Sequence, residues 1–179
     1  MENNICVFGY GSIIWDNKEV EPIKMVDAKL IGAHRSFNKK STESRGTKTN
    51  PGLVLGLEYG GECTGKLIWI NKENYPKVLK REGGYIPINT SNNKQLEVVN
   101  EQNEIFENCI VFFPNPKGPN FVKSDVDLNE KAKIILNGKK GLRSDSKEYL
   151  SEIRSYLKEY EIVDNEIESL YKLVFYNIM

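Results

Sequence analysis

The sequence predicts an α+β fold, with strands in the first two-thirds of the chain and helices in the last third. The first part contains short apolar runs punctuated by glycines, whereas the last part carries apolar residues at helical spacing. A segment with three prolines, 114–119, separates the two parts. Strands marked by glycine at short spacing favour a small barrel or a strongly curved sheet. The length of 179 residues suits one domain, so we predict a single domain over 1–179.

The strands are predicted from apolar runs bounded by turn residues. The pair Gly60-Gly61 is a turn signal, which predicts a hairpin between the two runs that flank it. The polar stretch 91–94 is predicted as a turn for the same reason. The predicted strands are 5–10, 25–37, 53–59, 66–70, 85–90, 95–100 and 108–113.

Helices are predicted where the apolar spacing changes from two residues to three or four. Three such segments lie in the last third of the chain, at about 128–136, 149–160 and 167–174. Ser146 is the predicted N-cap of the second helix and Asp164 that of the third. A shorter helix over 72–81 interrupts the strands, because a proline such as Pro76 is tolerated in a first turn.

Composition excludes several classes of protein. Twenty-five Lys and Arg balance 25 Asp and Glu, which argues against a nucleic-acid partner. No apolar run approaches the roughly 20 residues that span a bilayer, so no membrane association is predicted. The N-terminus has no basic segment followed by a long apolar one, so a signal peptide is not expected.

Cysteine and histidine usage argues against metals and disulfides. The three cysteines, Cys6, Cys63 and Cys109, are widely spaced, and His34 is the only histidine. This pattern predicts no metal site and no disulfide framework, which fits a reducing cytoplasm. We interpret the cysteines as small buried hydrophobic residues, and we expect no catalytic triad around the lone His34.

A glycine-rich loop, 9–15, follows the first predicted strand. It is not a dinucleotide-binding fingerprint, because Ile14 stands where the third glycine is required. Pro22 also leaves no room for the long helix that such a fingerprint opens. The loop therefore requires another explanation.

Two explanations of this loop remain open. Gly9 and Gly11 allow the backbone to approach a ligand closely or to adopt a positive φ, and successive N–H groups could bind an anion. Ser12 adds a hydroxyl, so a small molecule with a carboxylate would suit the loop. The alternative is a tight turn with Tyr10 packed in the core, which the physical argument alone favours.

Two charged residues are candidates for chemistry. Arg45, in a stretch of small residues, could present its guanidinium to a carboxylate, although an exposed loop charge is the commoner case. Glu82 precedes two glycines, where a helix should end and a strand begin. A carboxylate at such a junction could point into the mouth of a barrel and act as general base or acid. The alternative is a solvated Glu in the last turn of the helix.

These segments, in order, resemble a known family. Segment 7–15 reads VFGYGSIIW and resembles the opening signature FGYGSLIW of the ChaC-type γ-glutamylcyclotransferases, with Ile13 in place of Leu. Later segments resemble further motifs of that family: 35–52 its R-x-F…RGT…PG path, 81–85 its RE…GY segment and 138–150 its G-x-x-G…EYL segment. The resemblance covers almost the whole chain, and residues 142–147 depart from the family pattern.

The resemblance implies a small mixed β-barrel flanked by helices. It also implies cleavage of a γ-glutamyl amide by the substrate's own α-amine, which yields 5-oxoproline and a free amine. With glutathione as the expected substrate, the amine is Cys-Gly. No metal, no cofactor and no enzyme nucleophile is needed, and the sequence does not indicate an oligomeric state. The family's motifs imply that Glu82 is catalytic and that the substrate-binding residues are Tyr10, Gly11, Ser12, Ile13, Arg45 and Tyr85.

Two other functions remain open at this point. The altered segment 142–147 leaves room for another substrate, such as a γ-glutamylamine or a γ-glutamyl-protected biosynthetic intermediate. A non-catalytic binding module of the same fold is the second alternative. Turnover of a panel of γ-glutamyl compounds would distinguish all three.

Overall fold

The computed structural model describes residues 3–176, which form six strands and four α-helices, and it confirms the α+β class. Strands precede the three longer helices, as the apolar spacing predicts. The elements are β1 (Asn4–Gly9), β2 (Lys24–Ser41), β3 (Gly52–Asn71), α1 (Tyr75–Arg81), β4 (Tyr85–Asn89), β5 (Glu97–Asn100), β6 (Cys109–Pro114), α2 (Leu128–Asn137), α3 (Ser146–Glu159) and α4 (Asn165–Tyr176).

The described residues divide into two compact units. The first unit contains the residues up to Arg35 together with Leu57–Asn115. The second contains Ser36–Gly56 together with the residues from Pro116 onward. Strands β2 and β3 contribute to both units. The single domain over 1–179 stays a prediction.

The strands form one mixed sheet with the order β4-β6-β1-β3-β2-β5, curled into half of a barrel. Strand β1 runs parallel to β6 and antiparallel to β3, whereas β4 is antiparallel to β6 and β5 to β2. Apolar side chains of the strands form the core of the first unit, because burying them removes apolar surface from water. Fully or almost fully buried members are Val7, Phe8, Leu30, Leu57, Leu67, Ile68, Ile70, Val98 and Val111.

The hairpin predicted at Gly60-Gly61 is wrong. Strand β3 runs unbroken from Gly52 to Asn71, and the two glycines adopt φ of 97° and 71° within it. The carbonyl of Gly60 lies 2.8 Å from His34 Nδ1 on β2. Glycine adopts positive φ without steric cost, so the pair distorts the strand locally instead of reversing it.

Helices α2, α3 and α4 belong to the second unit, and most residues of the predicted apolar faces are buried, whereas Leu136 on α2 and Tyr160 at the end of α3 are exposed. Asp164 accepts a hydrogen bond from the N–H of Ile167 at 3.1 Å, as predicted for a cap of α4. No helix within residues 3–176 is long and apolar enough to cross a bilayer. The buried residues of these faces are Ala132 and Ile135 on α2, Tyr149, Leu150, Ile153 and Leu157 on α3, and Ile167, Leu170 and Val174 on α4.

The predicted N-cap of α3 is wrong by one residue. Asp145 is the cap, and its carboxylate accepts a hydrogen bond from the N–H of Glu148 at 2.7 Å. Ser146 is instead fully buried, and its hydroxyl accepts from the N–H of Leu53 at 2.7 Å. Aspartate and serine are both good N-caps, so the residue types do not show which of the two is the cap. In the structure the hydroxyl of Ser146 bonds to Leu53, and Asp145 is the cap.

Candidate active site

The glycine-rich loop forms a short 3₁₀ turn, Ser12–Ile14, directly after β1. Gly11 has φ of −137°, so the loop does not use left-handed backbone at this position. A Cβ atom on Gly9 would lie 2.7 Å from Ile68 Cδ1 and 2.8 Å from Ile13 Cγ2. Gly9 is therefore required by close packing within the protein.

The turn offers backbone donors. Its first N–H groups have no acceptor inside the turn, and these belong to Ser12 and Ile13. The N–H of Ile14 is used within the turn, since it donates to the carbonyl of Gly11 at 3.0 Å. Two adjacent N–H groups of this kind can bind an anionic oxygen.

The side chain of Tyr10 is part of the core, as the second explanation of the loop expects. It is buried, and its hydroxyl donates to the carbonyl of Phe112 at 2.7 Å. Ile13 is buried as well. Any contact of Tyr10 or Ile13 with a ligand in this conformation would therefore be made mainly by the backbone.

Arg35 holds the start of this loop, a role that sequence reasoning missed. Its side chain is buried, and it donates to the carbonyl of Tyr10 at 3.0 Å and to the carbonyl of Thr64. Alternation along β2 places Arg35 on the same face as the buried residues Ala33 and Phe37. The alternation of side chains along β2 was the sequence signal for the burial of Arg35. A buried arginine needs polar partners, and the two carbonyls provide them.

Glu82 lies at the predicted junction between helix and strand. It caps the C-terminus of α1, and its carbonyl accepts from the N–H of Tyr85 at 3.0 Å, where β4 begins. Gly84 between them has φ of 84°, which allows the chain to reverse. The Glu82 side chain is only 19% exposed, so it is not the fully solvated carboxylate of the alternative explanation. Tyr85 itself is half-buried.

Arg81 contacts both candidate parts of the site. Its Nη2 donates to Ser12 Oγ at 3.0 Å, and its Nε lies 3.2 Å from Glu82 Oε1. The glycine-rich loop and Glu82 therefore meet at one guanidinium within the first unit. Arg81 stands in a recognisable motif of the sequence, but its contact with Ser12 could not be predicted, because residues 12 and 81 are distant in the chain.

Arg45 belongs to the second unit and is buried, so the alternative of an exposed loop charge is wrong. Its guanidinium donates to Ser144 Oγ, lies 3.3 Å from Glu152 Oε2 and stacks 4.8 Å from the ring centre of Tyr149. These partners lie on α3 or just before it. The altered segment 142–147 thus supplies part of the environment of Arg45, through Ser144.

The glycines around Arg45 permit close contact between two stretches of backbone. A Cβ atom on Gly46 would lie 2.1 Å from the backbone nitrogen of Gly52, and one on Gly52 would lie 2.0 Å from the carbonyl oxygen of Arg45. Any side chain at either position would displace the backbone. The two glycines of the RGT…PG segment are therefore explained by close backbone packing in this chain.

The fold is that of the γ-glutamyl cyclotransferases. A crystal structure of a yeast γ-glutamyl cyclotransferase specific to glutathione is similar with a TM-score of 0.81 at 20% identity, over 96% of each chain. The model of the family described as ChaC-like protein matches residues 5–177, and the chain belongs to this family. The resemblance inferred from the motifs is thereby confirmed.

Two relatives are similar to this chain in sequence over most of its length. A protein of Escherichia coli (strain K12) is 30% identical over 176 residues, which cover 94% of this chain and 72% of the relative. One from Schizosaccharomyces pombe is 29% identical over 181 residues, covering 88% and 84% of the two chains. Both are named glutathione-specific gamma-glutamylcyclotransferase.

Proposed function

We propose that this chain is a γ-glutamylcyclotransferase whose substrate is glutathione. Glu82 and the 3₁₀ turn Ser12–Ile14, called the Ser12 turn below, carry out the reaction. The observation that carries the proposal is the meeting of these two parts at Arg81, through contacts of 3.0 and 3.2 Å. A half-buried carboxylate near backbone N–H groups that have no acceptor inside their turn suits an acyl transfer that needs a base and an oxyanion site. The names of the two relatives support glutathione as the substrate.

The reaction requires no water and no enzyme nucleophile. The α-amine nitrogen of the substrate attacks its own γ-carbonyl carbon, and a five-membered ring forms. The bond between that carbon and the leaving nitrogen then breaks, which releases 5-oxoproline and, from glutathione, Cys-Gly. Holding the glutamyl chain folded back on itself is the entropic part of the catalysis.

Glu82 moves the proton in this scheme. Its carboxylate accepts a proton from the substrate ammonium and returns one to the leaving nitrogen, so a single side chain acts first as base and then as acid. The N–H groups of Ser12 and Ile13 would stabilise the oxyanion that forms on the γ-carbonyl oxygen. Gly11 and Tyr10 present this turn to the substrate.

Tyr85 and Arg45 are the remaining predicted binding residues. Tyr85 follows Glu82 at the start of β4, which places it beside the proposed base. The contact of Arg45 with the substrate stays a prediction. Its hydrogen bond to Ser144 and its ion pair with Glu152 favour a structural role for this residue. The cytoplasmic location inferred from the cysteines also stays a prediction.

A panel of γ-glutamyl compounds tests the function. We expect 5-oxoproline and Cys-Gly in equal amounts from glutathione, and less turnover of γ-glutamylamines or a γ-glutamyl-protected intermediate. In water labelled with oxygen-18, newly formed 5-oxoproline should carry no label, because water is not a reactant. Release of glutamate instead would contradict the cyclisation.

The same panel separates the alternatives. Faster turnover of a γ-glutamylamine or of the protected intermediate than of glutathione would favour the second candidate function, which the departure of segment 142–147 from the family pattern supports. Leu142 in this segment is 79% exposed, and the N–H of Arg143 donates to the carbonyl of Ser44 at 2.9 Å, next to Arg45. Absence of any turnover would indicate a binding module.

Replacing each cysteine singly with Ala should leave turnover per folded molecule unchanged. Cys6 and Cys109 face each other on β1 and β6 with their sulfurs 3.8 Å apart. The hydrogen bond with Cys6, together with burial, raises the pKa of the Cys109 thiol well above its ordinary value. Cys109 is therefore a protonated, poor nucleophile at neutral pH. Intact-mass measurement during turnover provides the check, since a glutamyl adduct on any cysteine would contradict the mechanism.

A further inference from the structure

Arg81, like Arg35, is a charged residue of the first unit whose side chain is buried, and only 4% of the Arg81 side chain is exposed. It is the last residue of α1 and directly precedes Glu82. Lysine and arginine side chains normally remain in water unless they have partners. Its burial therefore calls for an explanation beyond helix formation.

The contacts of Arg81 divide into two groups. On one side, Nη1 lies 2.8 Å from Glu19 Oε1 and 3.8 Å from Asp16 Oδ2, in the segment that follows the Ser12 turn. On the other side, the guanidinium contacts Ser12 and Glu82. Two carboxylates thus anchor the guanidinium while its other edge faces the proposed reaction site.

The contact with Glu82 is close without being a hydrogen bond. Among the described residues, the buried Nε–H of Arg81 makes no hydrogen bond, although Glu82 Oε1 is only 3.2 Å away. A buried N–H that lies beside a carboxylate oxygen without the alignment of a hydrogen bond is uncommon and calls for an explanation. Catalytic hydrogen bonds are often misaligned before the substrate binds and align only in the complex.

We propose that Arg81 is a positioning residue for the cyclisation, which holds the Ser12 turn and the Glu82 carboxylate in a fixed relative geometry. The inference rests on the proposed function. Because the guanidinium is planar and rigid, it can fix two partners at once, which a lysine ammonium on a flexible chain does poorly. The oxyanion donors and the base would then stay correctly spaced around one γ-glutamyl group.

The test compares Arg81→Met and Arg81→Lys with Lys77→Met, using glutathione and counting only folded molecules. Lys77 is a matched control, because it is a cation on the same helix whose ion pair is with Glu21 at 3.1 Å and not with the site. For Arg81→Met we expect kcat to fall about 10²-fold with KM changed less than about threefold, since misplacement by about 1 Å has that cost. Arg81→Lys should recover about tenfold, because one charged contact can be re-formed.

A double-mutant cycle tests whether Arg81 acts through the turn. If it does, Arg81→Met combined with Ser12→Ala should lower kcat no further than Arg81→Met alone. Multiplicative effects would overturn the proposal, and so would an Arg81→Met variant with the kcat of the wild type. If Arg81→Met does not fold, Ser12→Ala and Arg81→Lys break the same contact, and both must lower kcat without a matching rise in KM.

The outcomes separate this inference from the function on which it rests. A wild-type protein that turns over glutathione together with an equally active Arg81→Met variant refutes only the positioning role. A wild-type protein that turns over no γ-glutamyl compound refutes the proposed function itself, and the role of Arg81 with it.

Discussion

Replacing Glu82 with Gln should lower kcat on glutathione by about 10²–10⁴-fold, the usual contribution of a general acid–base group. The substitution preserves the size and most of the polarity of the side chain, so folding and much of the substrate affinity should persist. An amide cannot accept the ammonium proton, however, and the attacking amine would remain protonated. Turnover, equilibrium binding of glutathione and thermal unfolding should be measured on the same preparation.

Glu73→Gln is the matched control for this experiment. Glu73 is an exposed glutamate in the 3₁₀ turn before α1, close to Glu82 in the chain but outside the contacts of Arg81. It should have the kcat of the wild type. A Glu82→Gln variant that retains full turnover would exclude Glu82 as the base, and another carboxylate would have to be sought.

Glu166→Gln should lower the free energy of unfolding by about 3–5 kcal/mol, because it leaves a buried ammonium without a counter-charge. In the second unit, the buried Nζ of Lys131 on α2 lies 2.9 Å from Glu166 Oε1 on α4 and 3.2 Å from Ser36 Oγ on β2. Glu166 Oε1 also accepts from the N–H of Phe37 at 2.8 Å. Urea unfolding of the two proteins provides the measurement.

Two further variants give this prediction its controls. Adding Lys131→Met to Glu166→Gln removes the unpaired charge and should recover part of the lost stability. Glu130→Gln breaks the pair between Glu130 and Lys133 on the same helix, where both side chains are largely exposed. Exposed pairs contribute little, so this control should unfold almost as the wild type does. Equal losses for Glu130→Gln and Glu166→Gln would contradict the argument.

Local patterns predicted the elements well and their boundaries less well. The spacing of apolar residues on α2, α3 and α4 depends only on helical geometry, so it can be read from the sequence. The Gly60-Gly61 pair could not be assigned in this way, because positive φ is compatible with a turn and also with a distorted strand. Asp145 and Ser146 present the same difficulty, since either could cap α3.

Glu82 and Ser12 could be predicted as site residues from the sequence, but their proximity could not. Glu82 stands at a helix end and Ser12 in a glycine-rich loop, and both features are local. Both contact Arg81, and the contact between Arg81 and Ser12 joins positions 69 residues apart, so it depends on how the first unit folds. Burial of Arg45 was missed for a related reason, since its partners Ser144 and Glu152 lie a hundred residues further along the chain.

The fold class, the helices and the family could be predicted from the sequence, because each depends on residues close together in the chain: the spacing of apolar residues and the motif around Gly9 and Gly11. The contacts of the buried charged residues could be seen only in the folded protein. Arg81 and Lys131 both look like ordinary surface charges in the sequence. Each is buried in the fold, and burial of a charge is tolerated only where distant parts of the chain supply its partners.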